Sequence, residues 1–127
     1  MRELRPGLVS REDFVRRVDQ HQRPSGYRLV ASVPDQLAPA IAVVGFRLAD
    51  NLAWGRHLYV DDLSTVSAAR QQGHARDLLE WLHIEAERLE CRQVHLDSGV
   101  GANRTAAHRL YFNSGYRVSC HHFERDV

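Results

Sequence analysis

The stretch of the chain with the clearest chemical potential is Arg70-Gln71-Gln72-Gly73-His74-Ala75. It follows a strand-like run, Leu58–Val66, and leads into a run with helical apolar spacing. A helix N-terminus presents unpaired backbone N–H groups and the positive end of the helix dipole. Gly73 lets the backbone approach a ligand closely, and Arg70 and Arg76 can add charge-assisted bonds. The residues predict an anion site suited to phosphate or pyrophosphate, the alternative being a plain strand–turn–helix connection.

The composition excludes several other chemistries. All 17 basic side chains are arginine, so a P-loop or a Schiff-base enzyme, which needs a lysine, is excluded. Against 16 acidic residues they leave a net charge of +1, which gives no basic footprint for nucleic acid. Cys91 and Cys120 form no C-x-x-C and are too few for a disulfide framework, which fits a reducing cytosol.

The histidine motifs predict no metal site. His83-Ile84-Glu85 matches H-x-E, but no P-C-x-x-C follows, so a zinc deaminase is excluded and an exposed helix face is predicted. His121 and His122 would project to opposite faces of a strand, a poor chelate. The chain also lacks the apolar run of a signal peptide or a membrane span, so we expect a cytoplasmic protein without a membrane partner.

The elements that must position the anion site follow from spacing. A length of 127 residues predicts one domain over residues 1–127. Helices are predicted at Glu12–Gln20 (capped near Ser10), after Gly73, and at Ala106–Asn113 (capped by Asn103 or Thr105). Runs with strand character are Tyr27–Val33, Ala40–Leu48, Trp54–Val66, Gln93–Ser98 and Tyr116–Phe123. Strand and helix alternate in the second half, which favours an α/β arrangement.

The helix after Gly73 has the strongest pattern. Its apolar residues recur at helical spacing on one stripe, namely Ala75, Leu78, Leu79, Leu82, Ala86 and Leu89. The opposite face carries Arg76, Glu80, His83 and Glu87. We therefore expect one side of this helix to cover the sheet.

Two blocks of the sequence carry a family resemblance. Arg70–Ala75 resembles the acetyl-coenzyme A signature R/Q-x-x-G-x-G/A of the GNAT superfamily of N-acetyltransferases, with Ala75 where glycine is commoner. Asn103–Tyr111, continued by Ser114-Gly115-Tyr116, is similar to that superfamily's asparagine, tyrosine-bearing helix and Gly-aromatic step. The blocks span Leu58 to Phe123, and the N-terminal half is short, with one predicted helix for the usual two. The resemblance implies an α/β (α+β) fold: a mixed, mostly antiparallel sheet, splayed at its central strand pair, with helices on both faces.

The resemblance also implies a co-substrate, acetyl-coenzyme A, and a place for each of its parts. Backbone amides of the turn would hold the pyrophosphate, which makes the turn's cofactor residues Arg70, Gln71, Gln72, Gly73, His74, Ala75 and Arg76. The main chain of Leu63, Ser64 and Thr65 would bond the pantetheine arm, as a strand edge bonds a peptide. A splay between Leu58–Val66 and Val94–Ser98 would form the thioester slot, and Asn103 would bond from the far side.

Three residues are implied for the chemistry. Tyr111 would protonate the leaving thiolate as general acid, the alternative being a core tyrosine. Asp61 or Asp62 would act as the base, directly or through water. Their side chains are expected on opposite faces of the strand, so that at most one faces the slot. The alternatives are a solvated edge residue beside a structural acceptor, or a carboxylate that binds a cationic substrate. Lesser candidates for proton relay are His57, His108, His121 and His122.

Together these features predict an N-acetyltransferase that moves acetyl from acetyl-coenzyme A to a primary amine of a small molecule, peptide or protein by direct attack. The alternative is a coenzyme-A-binding sensor or a degenerate, non-catalytic domain. Nucleic-acid binding is disfavoured by the balanced charge. The identity of the acceptor is left open. A homodimer could form through the apolar residues of the final strand, namely Tyr116, Val118, Cys120 and Phe123.

Overall fold

The computed structural model describes residue 1 and residues 3–127. The chain divides into two compact units, Met1–Leu96 and Asp97–Val127. The single domain expected from the length therefore stays a prediction.

The larger unit contains one four-stranded sheet in the order β1-β2-β3-β4. The strands are β1 (Tyr27–Ser32), β2 (Ala42–Asn51), β3 (Gly55–Thr65) and β4 (Gln93–Leu96). The first two pairings are antiparallel and the β3–β4 pairing is parallel. The α-helices are α1 (Arg11–Arg17), α2 (His74–Arg88) and, in the smaller unit, α3 (Thr105–Asn113). The α+β fold with a mixed, mostly antiparallel sheet is confirmed.

Helix α1 starts where the sequence predicts. Ser10 caps it by accepting a hydrogen bond from the Asp13 N–H at 3.0 Å. The chain then continues through a π-helical turn (Val18–Gln22) and a 3-10 turn (Arg23–Ser25). Gly26, with φ +86°, ends it in the left-handed conformation that favours glycine. This places β1 directly after the helical segment.

The core lies between α2 and one face of the sheet. The apolar stripe of α2 is confirmed at Leu78, Leu79, Leu82 and Ala86, all of which are buried. Three of these pack against alternate residues of β2 and β3, and the cluster comprises Ala42, Val44, Phe46, Leu58, Val60, Leu78, Leu82 and Ala86. Because alternate strand residues share a face, the other face of the sheet is left for different side chains.

Glu85 corrects the expected surface of α2. The sequence predicts an exposed face for this H-x-E motif, but Glu85 is only 7% exposed. Its carboxylate accepts hydrogen bonds from Arg88 at 2.7 and 2.8 Å and pairs with Arg28 of β1 at 2.7 Å. Arg28 also lies over the Phe46 ring, 4.9 Å from its centroid. Glu85 thus joins the edge strand β1 to α2. Hydrogen bonds from Arg88 and Arg28 lower the pKa of Glu85 to about 2.

Glu85→Gln is expected to lower Tm by several degrees, because both arginines lose their charged partner. The folded-state pKa lies below the ordinary 4.5. The stabilisation is therefore complete above about pH 4.5 and is lost as the pH falls towards 2. Thermal unfolding across this range should show the difference in Tm between the two proteins shrinking at low pH. Glu80→Gln, at an exposed pair with Arg76, is the control; a difference that does not change with pH would contradict the assignment.

The smaller unit corrects two expectations. Helix α3 begins after Arg104 with no side-chain cap, and Thr105 instead donates from Oγ1 to the Ala102 carbonyl at 2.7 Å. The predicted strand Tyr116–Phe123 is also wrong, since no strand is found there among the described residues. Val118 and Phe123 are 76% and 88% exposed, so the apolar alternation marks no buried sheet face. The homodimer predicted to form through this strand is therefore not supported by the described residues.

No helix described in the structure is both long enough and apolar enough to cross a membrane.

Candidate active site

Strand β3 contains one residue that is skipped in its pairing with β2. Phe46 pairs with Val60, but the next pair joins Gly45 to Asp62, so Asp61 is left over as a β-bulge. The extra residue shifts the alternation of side chains by one position. Leu63 consequently packs on the core beneath α2, and Asp62 turns to the opposite face.

Both carboxylates therefore lie on the sheet face away from α2. Asp61 accepts a hydrogen bond from Arg47 Nε at 3.0 Å. Asp62 accepts one from Arg5 Nε and one from the Tyr27 hydroxyl, each at 2.8 Å. The expectation that the two acids point to opposite faces is wrong, because the bulge interrupts the alternation on which it rests.

Tyr27 reaches Asp62 by crossing a glycine. A Cβ at Gly45 would lie 1.9 Å from the Tyr27 hydroxyl oxygen and 2.4 Å from Cζ, so only glycine leaves room for the ring. Burial, followed by the hydrogen bond to Asp62, raises the pKa of Tyr27, which keeps the phenol protonated as a donor. Sequence reasoning missed this residue. The available signal was an isolated glycine inside an apolar strand, which marks a bulge or a close approach.

The acidic pair lines a cavity of about 550 Å³. Its polar wall comes from the sheet and includes Tyr27 and Arg47, while α1 contributes Phe14 and Arg17. The N-terminal residues contribute Leu4 and Leu8, among others. This volume is in the usual range for small-molecule sites, ~300–1,000 Å³.

Arg47 and Asp61 form the fixed part of the polar wall. Besides Asp61, Arg47 contacts Ser25 Oγ through Nη1 at 2.9 Å and Gln22 through Nη2. Burial raises the pKa of Asp61, although the adjacent Arg47 acts in the opposite direction. A carboxylate with a raised pKa is better matched to accepting a proton near neutral pH.

The predicted anion site has the strand–turn–helix geometry that the sequence indicates. Gly73 has φ +93° and precedes the first residue of α2, while Gln71 also has a positive φ of +63°. The Asp77 N–H donates to the Gly73 carbonyl at 3.0 Å. The N–H groups of His74 to Arg76 therefore belong to the first turn, which has no intrahelical acceptors.

A carboxylate of the chain itself already binds beside this turn. Glu3 Oε1 accepts hydrogen bonds from the Ser67 N–H at 3.1 Å and from Ser67 Oγ at 3.2 Å. Arg70 Nη2 donates to Glu3 Oε2 at 2.9 Å. Arg76 is exposed and lies 3.6 Å from Glu80. Arg70 and Ser67 thus form an arrangement that holds an anion.

The strand before the turn has a partly unpaired side within the larger unit. On its β2 side, β3 pairs through Thr65, whereas on the β4 side the pairing covers only His57 to Val60. Residues 61–65, which include the predicted pantetheine-binding Leu63, Ser64 and Thr65, run beyond the last β4 pair. Because β4 itself ends at Leu96, opposite Val60, the splay between β3 and residues 94–98 stays a prediction.

The remaining predicted site residues belong to the smaller unit. Tyr111 is 9% exposed, and its ring lies edge-on to Tyr116 with centroids 6.0 Å apart. Burial raises the pKa of Tyr111 while Arg104 opposes the shift, so the phenol is protonated at neutral pH. Asn103 is exposed in the 3-10 turn Ala102–Arg104. Their placement against the acidic pair stays a prediction.

The histidines considered as proton relays lie in other surroundings. His57 is buried, and its Nδ1 is 2.7 Å from the Gly55 carbonyl. Its ring contacts Trp54 and His95, with centroids 5.4 and 5.1 Å away. His108 Nε2 is 2.9 Å from the Gly99 carbonyl. No group of three or more metal-ligating side chains is found within residues 1 and 3–127.

The sequence matches the Acetyltransferase (GNAT) family over residues 2–116. The chain belongs to this family. GNAT membership implies the use of acetyl-coenzyme A and an amine acceptor. No curated protein matches the chain significantly.

Solved structures share the GNAT fold at low sequence identity. A protein described as a probable acetyltransferase is 16% identical with a TM-score of 0.80, the match covering 99% of this chain and 83% of that one. An aminoglycoside acetyltransferase from an uncultured soil metagenomic sample is 19% identical with a TM-score of 0.74, covering 95% and 77%. Glucosamine-6-phosphate N-acetyltransferase from Arabidopsis thaliana is 15% identical with a TM-score of 0.71, covering 93% and 79%. At these identities the likeness shows the fold alone.

Gly73→Ala tests the turn. A left-handed residue with a Cβ costs roughly 1–2 kcal/mol, and distortion of the turn should weaken coenzyme A binding by at least ~10-fold. Gly26→Ala is a matched control, because Gly26 has φ +86° and open space around it. Both variants should lose similar stability in urea, but only Gly73→Ala should lose affinity by calorimetric titration with coenzyme A. Equal affinities of the two variants for coenzyme A would show that Gly73 does not contribute to its binding.

Proposed function

We propose that this GNAT protein transfers the acetyl group of acetyl-coenzyme A directly to a primary amine. The observation that carries the proposal is the order of features along β3. The bulge at Asp61 and Asp62 opens onto the cavity, and the same strand then leads to the turn at Gly73. An acceptor in the cavity and a cofactor on the turn would thus share one strand.

The residues of the turn fit the cofactor that the family implies. The first N–H groups of α2 and the left-handed Gly73 suit a pyrophosphate. The binding of the Glu3 carboxylate by Ser67 and Arg70 supports an affinity for anions on this side of the turn. Main-chain groups of Leu63 to Thr65, which run beyond the last β4 pair, would bond the pantetheine arm, and Asn103 would contribute from the smaller unit.

The proposed chemistry uses one base and one acid. Asp61 takes a proton from the acceptor ammonium, directly or through a water, so that the nitrogen lone pair becomes available. The nitrogen attacks the thioester carbonyl carbon; the C–N bond forms and the C–S bond breaks. Tyr111 gives its phenolic proton to the departing thiolate, and the second proton lost by the attacking nitrogen passes to solvent as the amide forms. The products are the N-acetylated amine and the free thiol of coenzyme A, and proton exchange with solvent restores both residues.

The hydrogen bonds around the acidic pair favour Asp61 as the base. Asp62 already accepts from both Arg5 and Tyr27, which holds it in place as a structural acceptor. Asp61 has one side-chain donor in Arg47, and burial raises its pKa. We therefore assign proton transfer to Asp61 and positioning to Asp62.

The pH profile of activity tests this assignment. A base must be ionised to act, so kcat/KM should fall as the pH decreases through the pKa of Asp61, which lies above its ordinary 3.8. Asp61→Asn should lower kcat/KM by ~10²-fold at neutral pH and abolish this acidic limb. Asp62→Asn is the matched comparison and should retain the limb. An Asp61→Asn enzyme with the unchanged profile would show that Asp61 is not the base.

Substitution of Tyr111 tests the acid. Tyr111→Phe should lower kcat by ~10²-fold, because the leaving thiolate loses its proton donor. Tyr116→Phe, on the other ring of the pair, is the control and should keep kcat. Circular dichroism checks that both variants are folded. Wild-type turnover in Tyr111→Phe would exclude the role, and a wild-type protein that binds coenzyme A yet acetylates no amine would be a coenzyme-A-binding protein instead.

A further inference from the structure

We infer that the acceptor is an amino acid with an apolar side chain, bound in the cavity as a zwitterion. The inference rests on the proposed function and names its substrate class. It comes from the charges and the apolar surface of the cavity, in which the positive groups outnumber the negative ones.

The charge balance of the cavity argues for an acceptor that carries an anionic group. Three guanidinium groups, those of Arg5, Arg17 and Arg47, line it together with only two carboxylates, those of Asp61 and Asp62. A simple ammonium would enter a site that already has one positive charge in excess. A zwitterionic amino acid adds no net charge: its carboxylate can pair with the excess guanidinium while its amine reaches Asp61.

Arg17 is the arginine suited to the carboxylate. Arg47 is engaged by Asp61, Ser25 and Gln22, and Arg5 by Asp62. Arg17 is exposed on α1, and residues 1 and 3–127 include no ion-pair partner for it. A guanidinium binds a carboxylate through two parallel hydrogen bonds, so Arg17 can fix the orientation as well as the charge.

The other wall of the cavity is apolar. Leu4, Leu8 and Phe14 are half-buried there and Val18 is buried. An apolar side chain against this wall would remove further hydrocarbon surface from water, at roughly 25 cal/mol per Å². The two walls together match an α-amino acid, whose charged groups and apolar side chain diverge from one carbon.

A matched acceptor panel tests the inference. L-Phenylalanine is compared with phenethylamine, which lacks the carboxylate, and with L-phenylalaninamide, in which the carboxylate is neutralised. Release of coenzyme A thiol is measured at saturating acetyl-coenzyme A. We expect kcat/KM for L-phenylalanine to exceed that for either analogue by at least ~10-fold, mainly through KM.

Arg17 variants locate the carboxylate. Arg17→Gln should raise KM for L-phenylalanine by ~10-fold, leave kcat nearly unchanged and leave phenethylamine unaffected. Arg17→Lys should restore part of the affinity through its remaining charge. Arg11→Gln, on the same helix but outside the cavity lining, should behave as wild type. Binding of L-phenylalanine without cofactor, measured by calorimetry, should show the same order.

The outcomes separate the inference from the proposed function. Phenethylamine used as well as L-phenylalanine would overturn the amino-acid inference and keep the acetyltransferase. L-Phenylalanine bound through Arg17 without acetylation of any amine would support the inference and overturn the proposed reaction. L-Phenylalanine that neither binds nor reacts, or an Arg17→Gln variant with unchanged KM, would overturn the inference.

Discussion

The extra residue in β3 is the constraint on which the arrangement of the site depends. Without it, strict alternation would turn Asp62 towards α2 and Leu63 away from it. An ionised carboxylate in that core would lose its hydration at a cost of several kcal/mol. With Asp61 as the bulge, Leu63 fills the core and both acids face the cavity. One inserted position thus satisfies the hydrophobic pattern and concentrates the charge.

Gly45 and Tyr27 together provide a hydrogen bond for the Asp62 carboxylate that the bulge turns towards the cavity. Gly45 pairs with Asp62, and its missing side chain lets the Tyr27 ring lie across the strand and donate to that carboxylate. Arg47 compensates Asp61 in the same way, and Ser25 and Gln22 hold Arg47 in turn. Two adjacent acids are tolerated because separate donors on neighbouring elements satisfy each of them.

The sequence predicted the features that local periodicity determines. The α2 stripe, the glycine turn and four of the strands follow from spacing, and family motifs supplied the fold. The bulge could not be predicted because strand register depends on the partner strand. The burial of Glu85 could not be predicted either, because its partner Arg28 is far away in sequence. The predicted strand Tyr116–Phe123 failed since alternation alone provides no pairing partner. The cavity itself depends on contacts between residues more than fifty positions apart, such as Arg5 with Asp62.

The N-terminal segment links the two halves of the site by charge. Glu3 places a carboxylate on Arg70 and Ser67 beside the predicted phosphate turn, while Arg5 places a cation on Asp62 at the cavity. Glu3 has the same sign of charge as the phosphate proposed at the turn, and Arg5 has the same sign of charge as the amine proposed beside the acidic pair. The Glu3–Arg70 pair is exposed on both sides, and such a pair contributes only ~0–1 kcal/mol. A phosphate group can therefore replace Glu3 on Arg70 and Ser67 at little cost, whereas Arg5 stays on the less exposed Asp62 as part of the cavity wall.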